Sequence, residues 1–452
     1  MSITDRLLAA EKQTEVNRPV TVVQRSAVLD DLKKRSVESL FRRIGNRIND
    51  ASLTDLQLRD FVRSELEMIL QEEHVQLGAS ERAALTREIE DDALGLGPIQ
   101  RLLDDDDISE IMVNHPSQIF VERKGKLTLA DESFSSEEQL RRVIERIVGK
   151  VGRRIDESSP LVDARLTDGS RVNAVIPPLA VRGSSLTIRK FAKKALSIQD
   201  LINYGSVSPE LAEVLELCVR GRLNVLVSGG TGTGKTTLLN VLSSFIPEDE
   251  RIVTIEDAIE LKLQQAHVVQ LEARPANIEG RGEVTIRDLV KNSLRMRPDR
   301  VVIGECRSGE ALDMLQAMNT GHDGSISTLH ANSPRDCIAR LETLVLMAGM
   351  DLPLRAIREQ IGSAVDLIVQ ITRLRDGSRR ITHVTELVGI KDDEPVLNDL
   401  YRFDFGAGYD EDGRPLGTVK RAGDGARMIN LLEERGVSVP PHLLGELEKE
   451  QA

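Results

Sequence analysis

The chain has 452 residues, 60 Lys and Arg against 73 Asp and Glu for a formal net charge of −13, only 2% aromatic residues and no tryptophan. That length exceeds what one core holds and implies two or three domains. The acidic balance argues against a nucleic-acid footprint spread over the surface, and the scarcity of aromatics argues against stacking platforms for single strands. Cys218, Cys306 and Cys337 include no CxxC pair, so neither structural zinc nor a disulfide framework is expected, and reduced thiols fit. No apolar run nears the ~18 residues that cross a bilayer, and MSITDRLLAAEKQTE carries no secretory signal. The expected location is cytoplasmic, with any membrane docking through partners.

Residues 1–27 are polar and aperiodic and are predicted to be flexible. Helical spacing then governs 28–95: Leu29, Leu32, Val37, Leu40 and Ile44 form one stripe, and Leu56, Leu58, Phe61, Leu66, Ile69 and Leu70 another. Leu85 and Ile89 suggest a third, and the glycines of LGLGP end this predicted helical bundle. Residues 96–190 read as an N-terminal α+β domain. Its strands are predicted at 110–113, 118–123, 162–176 and 185–191, its hairpin turn at 124–126 and its helix at 135–152. A hinge or linker at 191–207 follows, centred on FAKKALSIQDL.

From 208 to 395, helices at 208–220, 286–296, 309–318 and 333–349 alternate with strands at 251–256, 301–304 and 325–328. LNVLVSGGTGTGKTTLLNVL supplies a further strand, a glycine loop and a helix. This is the pattern of a largely parallel sheet flanked by helices, an α/β fold. Residues 365–373 and 379–388 flank an RDGS turn and read as a hairpin. The Gly- and Asp-rich stretch 396–452 reads as a C-terminal tail with a helix at 425–435.

GGTGTGKT at 229–236 fits G-x-x-x-x-G-K-[ST] between an apolar strand and a helix, the context this phosphate-binding motif requires. Backbone N–H groups of Gly229, Gly230, Thr231, Gly232, Thr233 and Gly234 close around phosphates, and the following helix adds its positive end. Lys235 reaches the β- and γ-phosphates, the Thr236 hydroxyl suits magnesium, and Thr237 completes the cradle. RIVTIEDAIEL ends a second strand in acids, and RVVIGECR ends a third in Gly304 and Glu305. Parallel strands put these carboxyl ends beside the phosphate loop. Glu256 is assigned to the attacking water and Glu305 to the magnesium shell, with small Gly304 permitting close approach. TGHDGSISTLHAN sets His322 and His330 on either side of a short strand; no third ligand is spaced for zinc. His330 suits detection of the γ-phosphate, whereas a core role and a sensing role stay equally open for His322.

The four boxes GGTGTGKTT, TIEDAIEL, RPDRVVIGECR and TGHDGSISTLHAN, in this order and spacing, resemble those of the secretion-superfamily ATPases. These are hexameric motors of type II secretion, type IV pili, archaeal flagella and type IV secretion. The helical N-terminus, LGLGPIQRLLDDDDISEIMVNHPSQIFVERKG and RVNAVIPPLAVRGSSLTIRKF look most like the CpaF-type ATPase of tight-adherence pili. No four-cysteine zinc insertion is present, which separates the chain from the type II secretion and pilus-extension branches that often carry one. The resemblance implies a RecA-like motor domain, ATP and Mg2+ as cofactors, a homo-hexamer and an inner-membrane platform protein as partner. It also implies Glu256 as base, Glu305 on the magnesium side, His330 facing the γ-phosphate, and Arg171 and Arg189 closing over the nucleotide. A nucleic-acid translocase is the alternative class, and conjugation or archaeal-flagellum motors are close competitors. A non-hydrolysing scaffold is disfavoured by the intact Lys235, Thr236, Glu256 and Glu305.

Overall fold

A computed structural model of the chain describes residues 32–33, 35–37, 39–40, 42–43, 55–73, 77–123, 125–191, 195–276, 281–411 and 413–444. The predicted flexible stretch 1–27, Leu29 and Ile44 of the first stripe, Lys124 of the first hairpin turn and residues 192–194 of the predicted hinge lie outside them. The chain divides into two compact units, Met1–Phe191 and Ala192–Ala452.

In the first unit, helices Asp55–Glu72 and Ala79–Ala93 turn Val62, Leu66, Ile69, Leu70, Leu85 and Ile89 onto a common apolar core with Leu32 and Leu40. The i, i+3, i+4 spacing of these residues is the reason they share a face. A six-stranded antiparallel sheet follows, ordered β3-β2-β1-β6-β5-β4. Its strands are β1 Ile108–His115, β2 Gln118–Arg123, β3 Lys126–Leu129, β4 Leu161–Arg165, β5 Arg171–Val175 and β6 Ser185–Arg189. Helix Glu137–Lys150, whose N-terminus is capped by Ser136 accepting from Gln139 N at 3.2 Å, packs Leu140, Val143, Ile144 and Ile147 against this sheet. The stretch 162–176, expected as one strand, is a hairpin. Asp168 accepts from the Ser170 amide at 2.9 Å and Gly169 takes φ +90°, a left-handed turn that only glycine adopts freely.

The second unit holds a nine-stranded sheet ordered β15-β14-β13-β12-β7-β11-β10-β8-β9. Its strands are β7 Val225–Ser228, β8 Ile252–Glu256, β9 Val268–Glu272, β10 Arg300–Cys306, β11 Ile326–Leu329, β12 Leu367–Arg373, β13 Arg379–Lys391, β14 Glu394–Phe403 and β15 Val419–Arg421. Pairing from β12 through β7, β11, β10, β8 and β9 is parallel, and β12 to β15 are antiparallel. Alternation along the strands fills a separate core on each face. Val225, Val227, Val302, Ile326 and Val369 face helices Pro209–Arg220 and Lys235–Ser243. Leu226, Val253, Ile303, Leu329 and Ile368 face helices Glu310–Asn319, Pro334–Leu346 and Leu354–Ala364. Strands buried on both faces are continuous apolar runs, which is why LNVLV and RVVI read so clearly.

The expected boundary at 395/396 falls inside β14, which pairs with β13 over much of its length. Met428, Ile429 and Leu432 of helix Ala426–Glu434 share a core with Val214 and Leu215, so these C-terminal residues are part of the second unit and not a tail. Within the expected linker, Ser197 caps helix Ile198–Asn203, and Leu201 and Val207 are buried in the same core.

Candidate nucleotide site

Ser228 at the end of β7 is in register with Leu329 of β11, and Leu329 with Cys306 of β10. This parallel register carries Gly229 and His330, with Glu305 just before Cys306 on β10, to one edge of the sheet, the edge where open α/β sheets bind ligands. The phosphate loop leaves β7 there. Gly232 and Gly234 have φ of +71° and +97°, a conformation that lets successive N–H groups turn inward before helix Lys235–Ser243 begins. Thr233 Oγ1 donates to the Gly230 carbonyl at 2.9 Å and closes the loop on itself. Thr236 and Thr237 are half-buried in the first turn of the helix.

Lys235 Nζ donates to the Gly230 carbonyl at 2.9 Å and lies 3.2 Å from His330 Nε2. The same nitrogen of His330 is 2.8 Å from Glu305 Oε1. The hydrogen bond is the one from Lys235, whose ammonium can only donate, so Nε2 accepts, and Glu305 stands beside the ring as a charge neighbour. Burial and the Lys235 charge hold the imidazole below its ordinary range, against the opposing pull of Glu305. A cation, a neutral imidazole and a carboxylate thus meet at the mouth of the loop. Arg307, which sequence reasoning passed over although it stands in RVVIGECR, donates to Glu305 Oε2 at 2.8 Å and lies 3.6 Å from Asp257 of the acidic box.

Glu256 ends β8 and is 2% exposed. Its Oε2 accepts from the amides of Glu260 at 2.7 Å and Leu261 at 3.0 Å, so the acidic box folds around its own first glutamate. A Cβ on Gly304 would come within 3.0 Å of Glu256 Cγ, which is the packing reason for glycine before Glu305. Cys306 beside it is buried, its thiol pushed up to about 12 by burial, and it packs on Met314 Sδ at 3.4 Å rather than serving as a nucleophile. His322 is not part of this cluster. It precedes β11 at the opposite edge, where its carbonyl accepts from Ser325 Oγ at 2.7 Å.

Arg171 and Arg189 belong to the first unit, where they are directly opposed across β5 and β6. Arg165 of β4 opposes Arg171 in turn, giving a row of three arginines on one face of the sheet; Glu110 opposes Arg189 at 3.7 Å. Like charges set opposite each other destabilise a sheet unless other groups meet them, and Arg165 and Arg171 both have partners within the protein. Arg165 carries no sequence signal; only the strand register brings it to the row.

For magnesium, no group of three or more His, Cys, Asp or Glu converges among the described residues. Thr236, with a hydroxyl, and Glu305, with a carboxylate, are the residues that could hold magnesium together with phosphate oxygens and water.

Residues 92–397 match the family model described as type II/IV secretion system protein. The chain belongs to this family. Within it, a Mycobacterium tuberculosis (strain H37Rv) protein named for conjugal transfer is 37% identical over 348 residues, 72% of this chain and 98% of its own length. The type IV secretion system protein VirB11 of Bartonella henselae is 32% identical over 327 residues, 64% of this chain and 91% of its own. Among solved structures, the VirB11 ATPase of the Brucella suis type IV secretion system, in complex with sulphate, is 31% identical. That match covers 64% of this chain and 95% of that one, with a TM-score of 0.35. By its family match and its phosphate loop, this family member is a nucleotide-binding ATPase of the secretion superfamily. No helix among its described residues is long and apolar enough to cross a membrane.

Proposed function

We propose that this secretion ATPase is a homo-hexameric motor of the CpaF type, converting ATP hydrolysis into mechanical work on a tight-adherence pilus through an inner-membrane platform protein. One observation carries the hydrolytic reading: Lys235 and Glu305, from two separate boxes, lie 3.2 Å and 2.8 Å from Nε2 of His330, from a third, at the phosphate loop. Lys235 exchanges the Gly230 carbonyl for the β- and γ-phosphates. Glu256 orients and deprotonates the attacking water, and His330, linked to both Lys235 and Glu305, registers whether the γ-phosphate is present. When bound between the phosphates, Thr236 and Glu305, magnesium would neutralise charge on the phosphate oxygens. Arg171 and Arg189 are assigned to the triphosphate on this reading, as the resemblance implies.

Relatives named for conjugal transfer favour a second reading, a conjugation-type motor. Phosphate release by the purified chain, measured with its assembly state and with or without DNA or membrane platform protein, tests both. Stimulation by platform protein in a hexamer supports the pilus motor, and stimulation by DNA alone supports a translocase. Lys235→Ala should abolish turnover; wild-type turnover in that variant refutes the site.

A further inference from the structure

The RDGS turn reads from sequence as no more than a hairpin, yet the structure brings two arginines of its flanking strands, Arg373 and Arg379, to the phosphate loop. β12 pairs with β7, setting Gln370 opposite Ser228. A Cβ on Gly229 would strike the Ile371 carbonyl, so the hairpin and the loop are in backbone contact. Arg379, which opens β13, donates from Nε to the Gly232 carbonyl at 3.1 Å. Its Cδ lies 3.2 Å from where a Gly234 Cβ would stand. Arg373 is directly opposite Arg379 in the hairpin and comes within 4.0 Å of the Cβ position of Gly232. The far side of the hairpin is also anchored: Arg380 donates to the Tyr204 carbonyl, and the Ile381 amide to the Ser206 carbonyl at 3.0 Å.

In a trans peptide the C=O and the N–H point in opposite directions. A Gly232 carbonyl held outward by Arg379 therefore turns the Thr233 N–H to the inner side of the loop, where phosphate oxygens are cradled. A cationic donor on that carbonyl also polarises the peptide and strengthens its N–H as a donor. We propose that Arg379 is a positioning residue of the phosphate loop, fixing the Gly232–Thr233 peptide for a nucleotide's phosphates without touching the nucleotide. The inference rests on the nucleotide site proposed above. Anchoring by Arg380 and Ile381 holds the hairpin backbone from which Arg379 projects beside the loop.

The test measures fluorescent ADP binding and ATP turnover in the full-length chain. Because charge-assisted hydrogen bonds contribute ~1.5 kcal/mol or more, Arg379→Ala should raise the Kd for ADP and the KM for ATP about tenfold. Its kcat should change less than about twofold, since the bond is made equally in the bound ground state and the transition state. The melting temperature without nucleotide should not move, and Arg379→Lys should recover part of the affinity. Arg375→Ala, an exposed arginine in the same turn, should leave both constants near wild type. Three results would overturn the inference: wild-type affinity in Arg379→Ala, a fall in kcat at constant KM, or an equal loss in Arg375→Ala, which would mean a diffuse field. If the wild-type chain binds no ADP, the nucleotide site itself fails first, and that outcome is distinct from the other three.

Discussion

β10 carries a charged residue at each end, and the two ends are built oppositely. At its start Arg300 is 0% exposed, and every direction of its guanidinium is met by the protein. It pairs with both oxygens of Glu250 and donates to the carbonyls of Gly324 at 3.1 Å and Val219 at 2.8 Å. At its other end Glu305 keeps 20% of its side chain exposed, beside a His330 that is 40% exposed. The partners there are the His330 imidazole, itself beside the Lys235 ammonium, and Arg307. On the proposed function, one strand thus separates a charge that holds a fold from a charge that works. The first has fixed partners and no solvent; the second has exchangeable partners at an open edge.

The largest effect should come from the open end. Glu305→Gln keeps size and most hydrogen bonding but removes the negative charge, and should lower phosphate release by about 10²–10³-fold, the usual cost of losing one aligned electrostatic group. The denaturation midpoint should barely move. Wild-type turnover in this variant would make both ends of β10 structural and dissolve the contrast. The buried end should behave in reverse. Arg300→Met strands Glu250 with only Arg222, at 3.3 Å, and should cost about 3–5 kcal/mol in denaturant unfolding. Turnover per folded molecule should be retained. A second change, Glu250→Leu, should return much of that stability, because a packed apolar pair commonly replaces a buried ion pair without loss.

The contrast was half legible in the sequence. Glu305 announced itself by ending an apolar strand after glycine, and the phosphate loop by its fixed spacing. Parallel register then required only that the strands be correctly ordered for His330 to arrive beside them. Arg300 gave no such signal: an arginine before RVVI's apolar residues reads as a solvated flank, and its burial depends on Glu250 from a segment fifty residues earlier. The antiparallel half was the least legible. β14 begins in DDEP, which reads as a turn, and its apolar residues alternate too weakly to announce a strand; pairing with β13 makes it one. Arg379 and Arg165 likewise acquire meaning only from register, since nothing local distinguishes either from a surface arginine.

The smallest and sharpest test is a pH series at the open end. Burial, then the charge of Lys235, disfavours protonation of His330, with Arg307 and Arg340 acting in the same sense and Glu305 opposing. Below about pH 6.5 the unfolded chain therefore takes up a proton that the folded chain resists. The neutral imidazole's contribution to stability is present above that pH and is lost as pH falls toward the depressed folded value. His383 is depressed by burial as well and must contribute its own slope, so only a difference between variants isolates His330. Denaturation midpoints from pH 7 to 5 should fall more steeply for the wild type than for His330→Gln. The Glu305→Gln variant should steepen the fall further, because it removes the carboxylate that favours the proton. Parallel slopes in all three proteins would mean that His330 is solvated like any surface histidine, and the open end of β10 would lose its link to Lys235.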